Sequence, residues 1–221
     1  MSSSSPSTRN LESLPEIETL RNRLKSLATL DAILCPDRES RYYRYDSRWS
    51  PNEELGSLQN GSGDNVFVHF TPAGCIIIGF DHESAMSPYR TSPPQLWENV
   101  LSTVPADFVG STSEPAFSPN DTTFCIWRLF SDDNWHCGPI DFPAGSDPDG
   151  SEGLLSYLDG DLLTYFKYAT EYFEKEPCAY SIGQILKAKP LTSKLMSRLN
   201  PDATLDQIMA DANEIGYPLA T

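Results

Sequence analysis

Gly74-Cys75-Ile76-Ile77-Ile78-Gly79-Phe80-Asp81-His82-Glu83-Ser84-Ala85-Met86-Ser87-Pro88-Tyr89-Arg90 is the stretch whose reading decides the fold. Three β-branched residues in a row, Ile76 to Ile78, predict a strand buried on both faces. The polar run Asp81 to Ser84 then follows at once and is carried out of the core on a stiff support. Loops anchored in this way are where binding residues collect. On the N-terminal side, Val66–Phe70 reads as a second strand. Its four-residue link to Cys75, Thr71-Pro72-Ala73-Gly74, has the composition of a hairpin connection.

Further along the chain, Thr123–Phe130 is the next strongest strand pattern. Ser131-Asp132-Asp133-Asn134 reads as a turn, and Trp135–Ile140 reads as a return strand interrupted by Gly138-Pro139. This makes a second hairpin. Set beside the first, it would bring the turn after Phe80 and the turn after Phe130 to one rim.

Leu14, Ile17, Leu20, Leu24, Leu27, Leu30 and Leu34 recur at helical spacing, and Ser13 to Glu16 has the form of a capping box. Arg41–Tyr45 is aromatic enough for a short strand, and Gly56–Asp64 reads as a loop. Gln95–Val104 predicts a helix closed by Pro105. From Ser151 onward the apolar spacing is helical: a longer helix ends before Pro177, and Ser181–Lys187, Thr192–Leu199 and Thr204–Asn213 are shorter. The expected class is α+β: a central antiparallel sheet built from two hairpins, with an N-terminal helix and a C-terminal helical segment packed on it. Residues 1–12 are expected to form a disordered leader, and residues 13–221 a single domain with its helical part at 151–221.

The 221 residues, with 39% hydrophobic and 11% aromatic content, can bury a substantial core. No apolar run is long enough to span a bilayer, and the polar N-terminus lacks the apolar centre of a secretory signal, so a cytoplasmic location is expected. The five cysteines are scattered and form no CxxC pair, which argues against a disulfide framework. Cys75 and Cys125, inside strand patterns, are expected to be small buried hydrophobes.

Charge is unevenly spread. Residues 1–48 hold 8 Lys/Arg and 7 Asp/Glu, and residues 167–221 hold 6 and 7. Residues 49–166 hold Arg90 and Arg128 against 17 Asp/Glu, a net −15. Such a field repels nucleic acid and anionic membranes and attracts basic partners. Acidity that merely keeps the chain soluble is the plainer explanation.

Gly79-Phe80-Asp81-His82-Glu83-Ser84, Thr123-Phe124-Cys125-Ile126-Trp127, Asp149-Gly150-Ser151 and Glu214-Ile215-Gly216-Tyr217 together resemble a group of uncharacterised bacterial proteins, from about residue 40 to the end. The resemblance implies no activity and no residue roles. In size and charge the chain is similar to small acidic bacterial toxin-immunity proteins, an analogy of type without a motif.

Asp81, His82 and Glu83 have the donor types for a divalent ion, with His136 as a fourth ligand if the hairpins lie side by side. The plainer account has Asp81 capping the turn and its neighbours bonding loop backbone. Asp147-Pro148-Asp149-Gly150-Ser151 imitates a calcium loop but places Gly and the closing acid wrongly, so Asp149 is better read as a helix cap. No nucleophile elbow or phosphate-binding glycine motif is present, and no cofactor is expected. His69 reads as a sheet histidine.

The leading expectation is a non-enzymatic binding protein. Asp81, Glu83, Asp132, Asp133, Asp141, Asp147 and Asp149 would form an acidic face toward a basic protein partner, in an immunity-like or regulatory setting. A metal-dependent enzyme using Asp81, His82, Glu83 and His136 is the alternative, and a structural homo-oligomeric subunit a third.

Overall fold

The computed structural model describes residues 5–220, with Leu205 by its backbone alone. Six strands follow one another in a single sheet in chain order: β1 (Tyr43–Ser50), β2 (Glu53–Gln59), β3 (Asn65–Phe70), β4 (Gly74–Phe80), β5 (Phe124–Leu129) and β6 (His136–Cys137). The helices are α1 (Ile17–Leu34), α2 (Val109–Ser113), α3 (Ser151–Leu155), α4 (Leu162–Tyr172), α5 (Ala179–Leu186), α6 (Ser193–Leu199) and α7 (Leu205–Ile215). The protein is therefore α+β, an antiparallel sheet with an N-terminal helix and C-terminal helices packed on it. Contacts divide the chain into two compact units, Met1–Ile17 with Ser57–Asp159, and Glu18–Gly56 with Gly160–Thr221.

The first unit is built on β3, β4 and β5. Val68 pairs with Ile77, and Ile77 pairs with Ile126, both antiparallel. Ile76, Ile77 and Ile78 are all buried, so both faces of β4 are covered as its apolar run requires. On one face of β3, Phe67 stacks on Phe117 with ring centroids 5.1 Å apart, and His69 Nδ1 lies 2.9 Å from the Ser111 hydroxyl. The histidine is thus part of the core. Gly79 is required by sterics, since a methyl group there would overlap the ring of buried Phe124.

The second unit packs α7 on β1 and sets α1 against the start of β2, where Gly56 leaves room for Leu24. Its centre is Asp31 on α1, which is fully buried. The carboxylate accepts hydrogen bonds from the backbone of Tyr42 and Tyr43 and from the hydroxyls of Tyr165 and Tyr168. One acid thereby ties the N-terminal helix to β1 and to α4, within a group of packed tyrosine rings.

Several expectations need correction. The first twelve residues are not a disordered leader over their described part, 5–12 (residues 1–4 lie outside the description). Ser7 and Thr8 are buried, and the Thr8 hydroxyl donates to Asp149 at 2.6 Å. Arg9 donates to the carbonyls of Gly145 and Ser146.

Helix α1 starts at Ile17 rather than at Ser13, because Pro15 and Glu16 are engaged elsewhere. The Pro15 carbonyl accepts the Trp135 indole N–H, and Glu16 pairs with Arg128.

The stretch Glu53–Gln59 is a strand, although Gly56 and the absence of β-branched residues disguise it; pairing in the sheet overrides its low propensity. Pro51 and Asn52, the latter at φ 65°, turn the chain from β1 into it. No helix forms at 95–104: Asn99 sits at φ 66°, and the Trp97 indole donates to the Asp141 carbonyl, fixing a chain of turns. β6 stops at Cys137 because Pro139 has no N–H to offer.

Burial pushes the Asp31 carboxyl from its ordinary 3.8 up to about 7, against the pull of its four donors. The folded state therefore keeps a proton that the unfolded chain releases. The stabilisation linked to that proton is complete below pH 3.8 and is lost as pH rises through 7. Denaturation midpoints followed from pH 4 to 8 should show Asp31→Asn gaining on the wild type as pH rises, whereas parallel curves would contradict the burial argument.

Candidate functional site

The antiparallel register places Phe80, at the end of β4, beside the start of β5, with Gly79 opposite Phe124. The other end of β4 lies beside the end of β5: Gly74 pairs with Leu129, and Phe130 N donates to the Ala73 carbonyl. The turn after Phe80 and the turn after Phe130 are therefore at opposite ends of these strands, and the expected common rim does not exist. His136 pairs with Trp127, three rungs from Phe124, or about 10 Å along the strand. It belongs with Asp132, whose carboxylate lies 3.7 Å from its ring. The expected set of Asp81, His82, Glu83 and His136 is not brought together, because the connection from β4 to β5, which carries Asp81, leaves the sheet at the end opposite to the two hairpin turns.

What does assemble lies at the Asp81 end. Asp81 N donates to Thr123 Oγ1, which in turn donates to the Asp149 carbonyl at 2.8 Å. Met86 N donates to the Pro148 carbonyl, so the loops after Phe80 and before α3 are joined by backbone. Gly150, at φ 78°, is pressed against the Asp81 carboxylate, where a side chain would overlap it. Asp64, just before β3, completes the rim. Its Oδ1 accepts from His82 N at 2.9 Å and lies 2.6 Å from His82 Nδ1, while Oδ2 accepts from Asn60.

The seven acids expected to share one face meet different fates. Asp81 is half-buried and accepts from Glu83 N and Ser84 N, closing the turn. Asp147 accepts from Glu152 N and Gly153 N and so caps α3. Asp149, 1% exposed, is not a surface residue: it is sequestered by Thr8 and by Ser151, whose backbone and hydroxyl both donate to it. Asp132 accepts from Leu129 N in the far turn. Glu83, Asp133 and Asp141 are exposed.

Burial, reinforced by the charges of Asp64 and Asp147, raises the Asp81 carboxyl above its ordinary value. For Asp64, burial pulls upward as well, but the His82 and Asn60 bonds outweigh it and hold the carboxyl low. Its hydrogen bond in turn raises the His82 imidazole above 6.5. One oxygen each from Asp64 and Asp81 and one His82 ring nitrogen fall within 4.8 Å of one another.

Asp64 was missed because it lies in a stretch read as loop. The signal was present: if Phe70 pairs with Cys75 across the predicted turn, counting outward puts residue 64 opposite residue 81. Neither a protein family, nor a curated protein, nor a solved structure matches this chain.

His82 should titrate above 6.5 because its partner favours the charged ring, and the stabilisation from that pairing is lost as pH rises through the folded value. A histidine-detected NMR titration of Asp64→Asn should return it toward 6.5. An unchanged midpoint would remove Asp64 from the site.

Proposed function

We propose that the protein is a non-enzymatic binding protein whose first unit engages a basic protein surface. The observation that supports this is the distribution of charge between the units. The first holds 3 Lys/Arg against 16 Asp/Glu, net −13, and has no lysine in its sequence; the second holds 13 against 15, net −2. All three arginines of the first unit are engaged. Arg9 holds Gly145 and Ser146, Arg90 holds the carbonyls of Glu83 and Ser84, and Arg128 forms a two-pronged pair with Glu16. The outward field is therefore little offset by free cations. Of the seven acids expected to form the face, Glu83, Asp133 and Asp141 are exposed to a partner, beside other exposed acids of this unit such as Glu98 and Asp107. Asp81 and Asp147 contribute charge while holding loops, and Asp149 does not take part.

An excess of this size speeds encounter with a cationic partner about 10- to 1000-fold at low ionic strength. An inhibitory or regulatory complex would use such steering. Affinity capture at low salt should recover a basic protein that is released as salt is raised. The variant Glu83→Lys/Asp133→Lys/Asp141→Lys should lose it while keeping its fold. Capture of nothing basic, or capture insensitive to salt, sinks the proposal.

A second reading is favoured by the convergence of Asp64, Asp81 and His82, which could hold a divalent cation at the rim. It competes with the hydrogen bonds those groups already make to His82, Asn60, Glu83 and Ser84. Titration calorimetry with manganese and with zinc should give heat that Asp64→Asn abolishes. Identical traces for the two proteins would dismiss it.

A further inference from the structure

We propose that the cleft between the N-terminal segment and the turn after β5 is a binding site for an arginine side chain, supplied by the basic partner of the first unit. The inference rests on the binding reading above and names the group that the acidic unit receives. The cleft has a volume of about 420 Å³, within the range of about 300–1,000 Å³ usual for ligand sites. Its lining belongs wholly to the first unit. Leu11, Leu14 and Trp135 make the apolar part of the lining, and Glu12, Glu16 and Asp133 bring carboxylates to it.

The walls are held by the chain itself. The Trp135 indole N–H donates to the Pro15 carbonyl at 2.9 Å and so pins the turn to the N-terminal segment. Arg128 Nε donates to the Asp132 carbonyl, and its two terminal nitrogens meet the two oxygens of Glu16 at 3.0 and 2.9 Å. A site fixed in this way asks little further ordering when a guest enters.

The charge of the wall selects the guest. Glu16 is matched by Arg128, which leaves Glu12 and Asp133. Both are exposed, and neither carboxylate accepts a hydrogen bond or forms an ion pair among the described residues. A guanidinium suits this combination, since its plane packs on an aromatic ring and its stem on the leucines, while its N–H groups turn to the carboxylates. Arg128, lying on Glu16 in the same wall, already uses this chemistry within the chain. Lysine is the poorer guest, because an ammonium is a strongly hydrated point charge.

A second cleft in this unit, of about 390 Å³ beside Trp97, gives the contrast. It also holds two carboxylates, Glu98 and Asp141, together with Arg90. Arg90 donates to the carbonyls of Glu83 and Ser84 rather than to a carboxylate, so its positive charge stays unmatched and opposes a second guanidinium.

The test titrates the full chain at low salt with acetyl-Gly-Arg-Gly-amide, and with the lysine and citrulline peptides of the same form. The indole N–H resonances of the four tryptophans are followed by NMR. The arginine peptide should shift Trp135 saturably and leave Trp97 in place. Citrulline, which keeps the shape without the charge, should bind more weakly. Glu12→Gln and Asp133→Asn should each weaken the arginine peptide about two- to fivefold. Both positions are exposed, and an unchanged indole pattern in the free variants shows that the fold is kept. Equal shifts with citrulline, a larger shift at Trp97 than at Trp135, or undiminished binding in Glu12→Gln/Asp133→Asn would each overturn the proposal. A basic protein captured at low salt beside a silent titration would remove the arginine site and leave the binding reading standing. Shifts at Trp135 with nothing basic captured would keep the site and overturn the protein partner as the source of the arginine.

Discussion

Ile77 opposite Ile126 is the pairing on which the arrangement of the first unit depends. Once that rung is fixed, every other residue of β4 and β5 has an assigned height along the strands. Asp81 emerges beside Thr123, and Asp132 emerges at the far end beside Ala73 and Leu129. The register is held by burial on both faces of β4 and by the close fit of Gly79 against Phe124, where a methyl group would force the strands apart. A slip of one residue would turn Ile77 and Ile126 to the wrong faces and break all of this together.

Much of the acidity in the first unit has a structural use. Asp64, Asp81, Asp147 and Asp149 accept hydrogen bonds from backbone or side-chain donors in loops that have no regular structure of their own. A loop carboxylate that takes two donors replaces the ladder bonds a strand would have made. The density of Gly, Pro and Asp through 132–150 is the sequence signature of that solution. The remaining acids, those without such partners, set the outward field. The second unit answers the same problem differently, burying a single acid, Asp31, among donors from the backbone of Tyr42 and Tyr43 at the start of β1 and two α4 tyrosines.

The class of fold was legible because apolar periodicity is strong in β3, β4, β5 and the C-terminal helices. It failed where tertiary contacts overrode local preference: β2 has weak strand propensity, and Gln95–Val104 has helical spacing that the Trp97 and Asn99 contacts defeat. The N-terminal segment looked disordered because Ser7 and Thr8 are polar. The partners of Thr8, Asp149 and Ser151, lie more than a hundred residues away and leave no local trace. The acidic loops were legible as polar, but which acids face outward was not, since that depends on which donors the fold brings to each. The supposed rim failed for a geometric reason: adjacent turns of a meander alternate ends.

The register is open to direct measurement. A nuclear Overhauser spectrum of the isotopically labelled protein should contain cross-strand contacts between the backbones of Ile77 and Ile126 and of Gly79 and Phe124. Contacts placing Phe80 beside Leu129 instead would bring the Asp81 and Asp132 turns to one end and contradict the account.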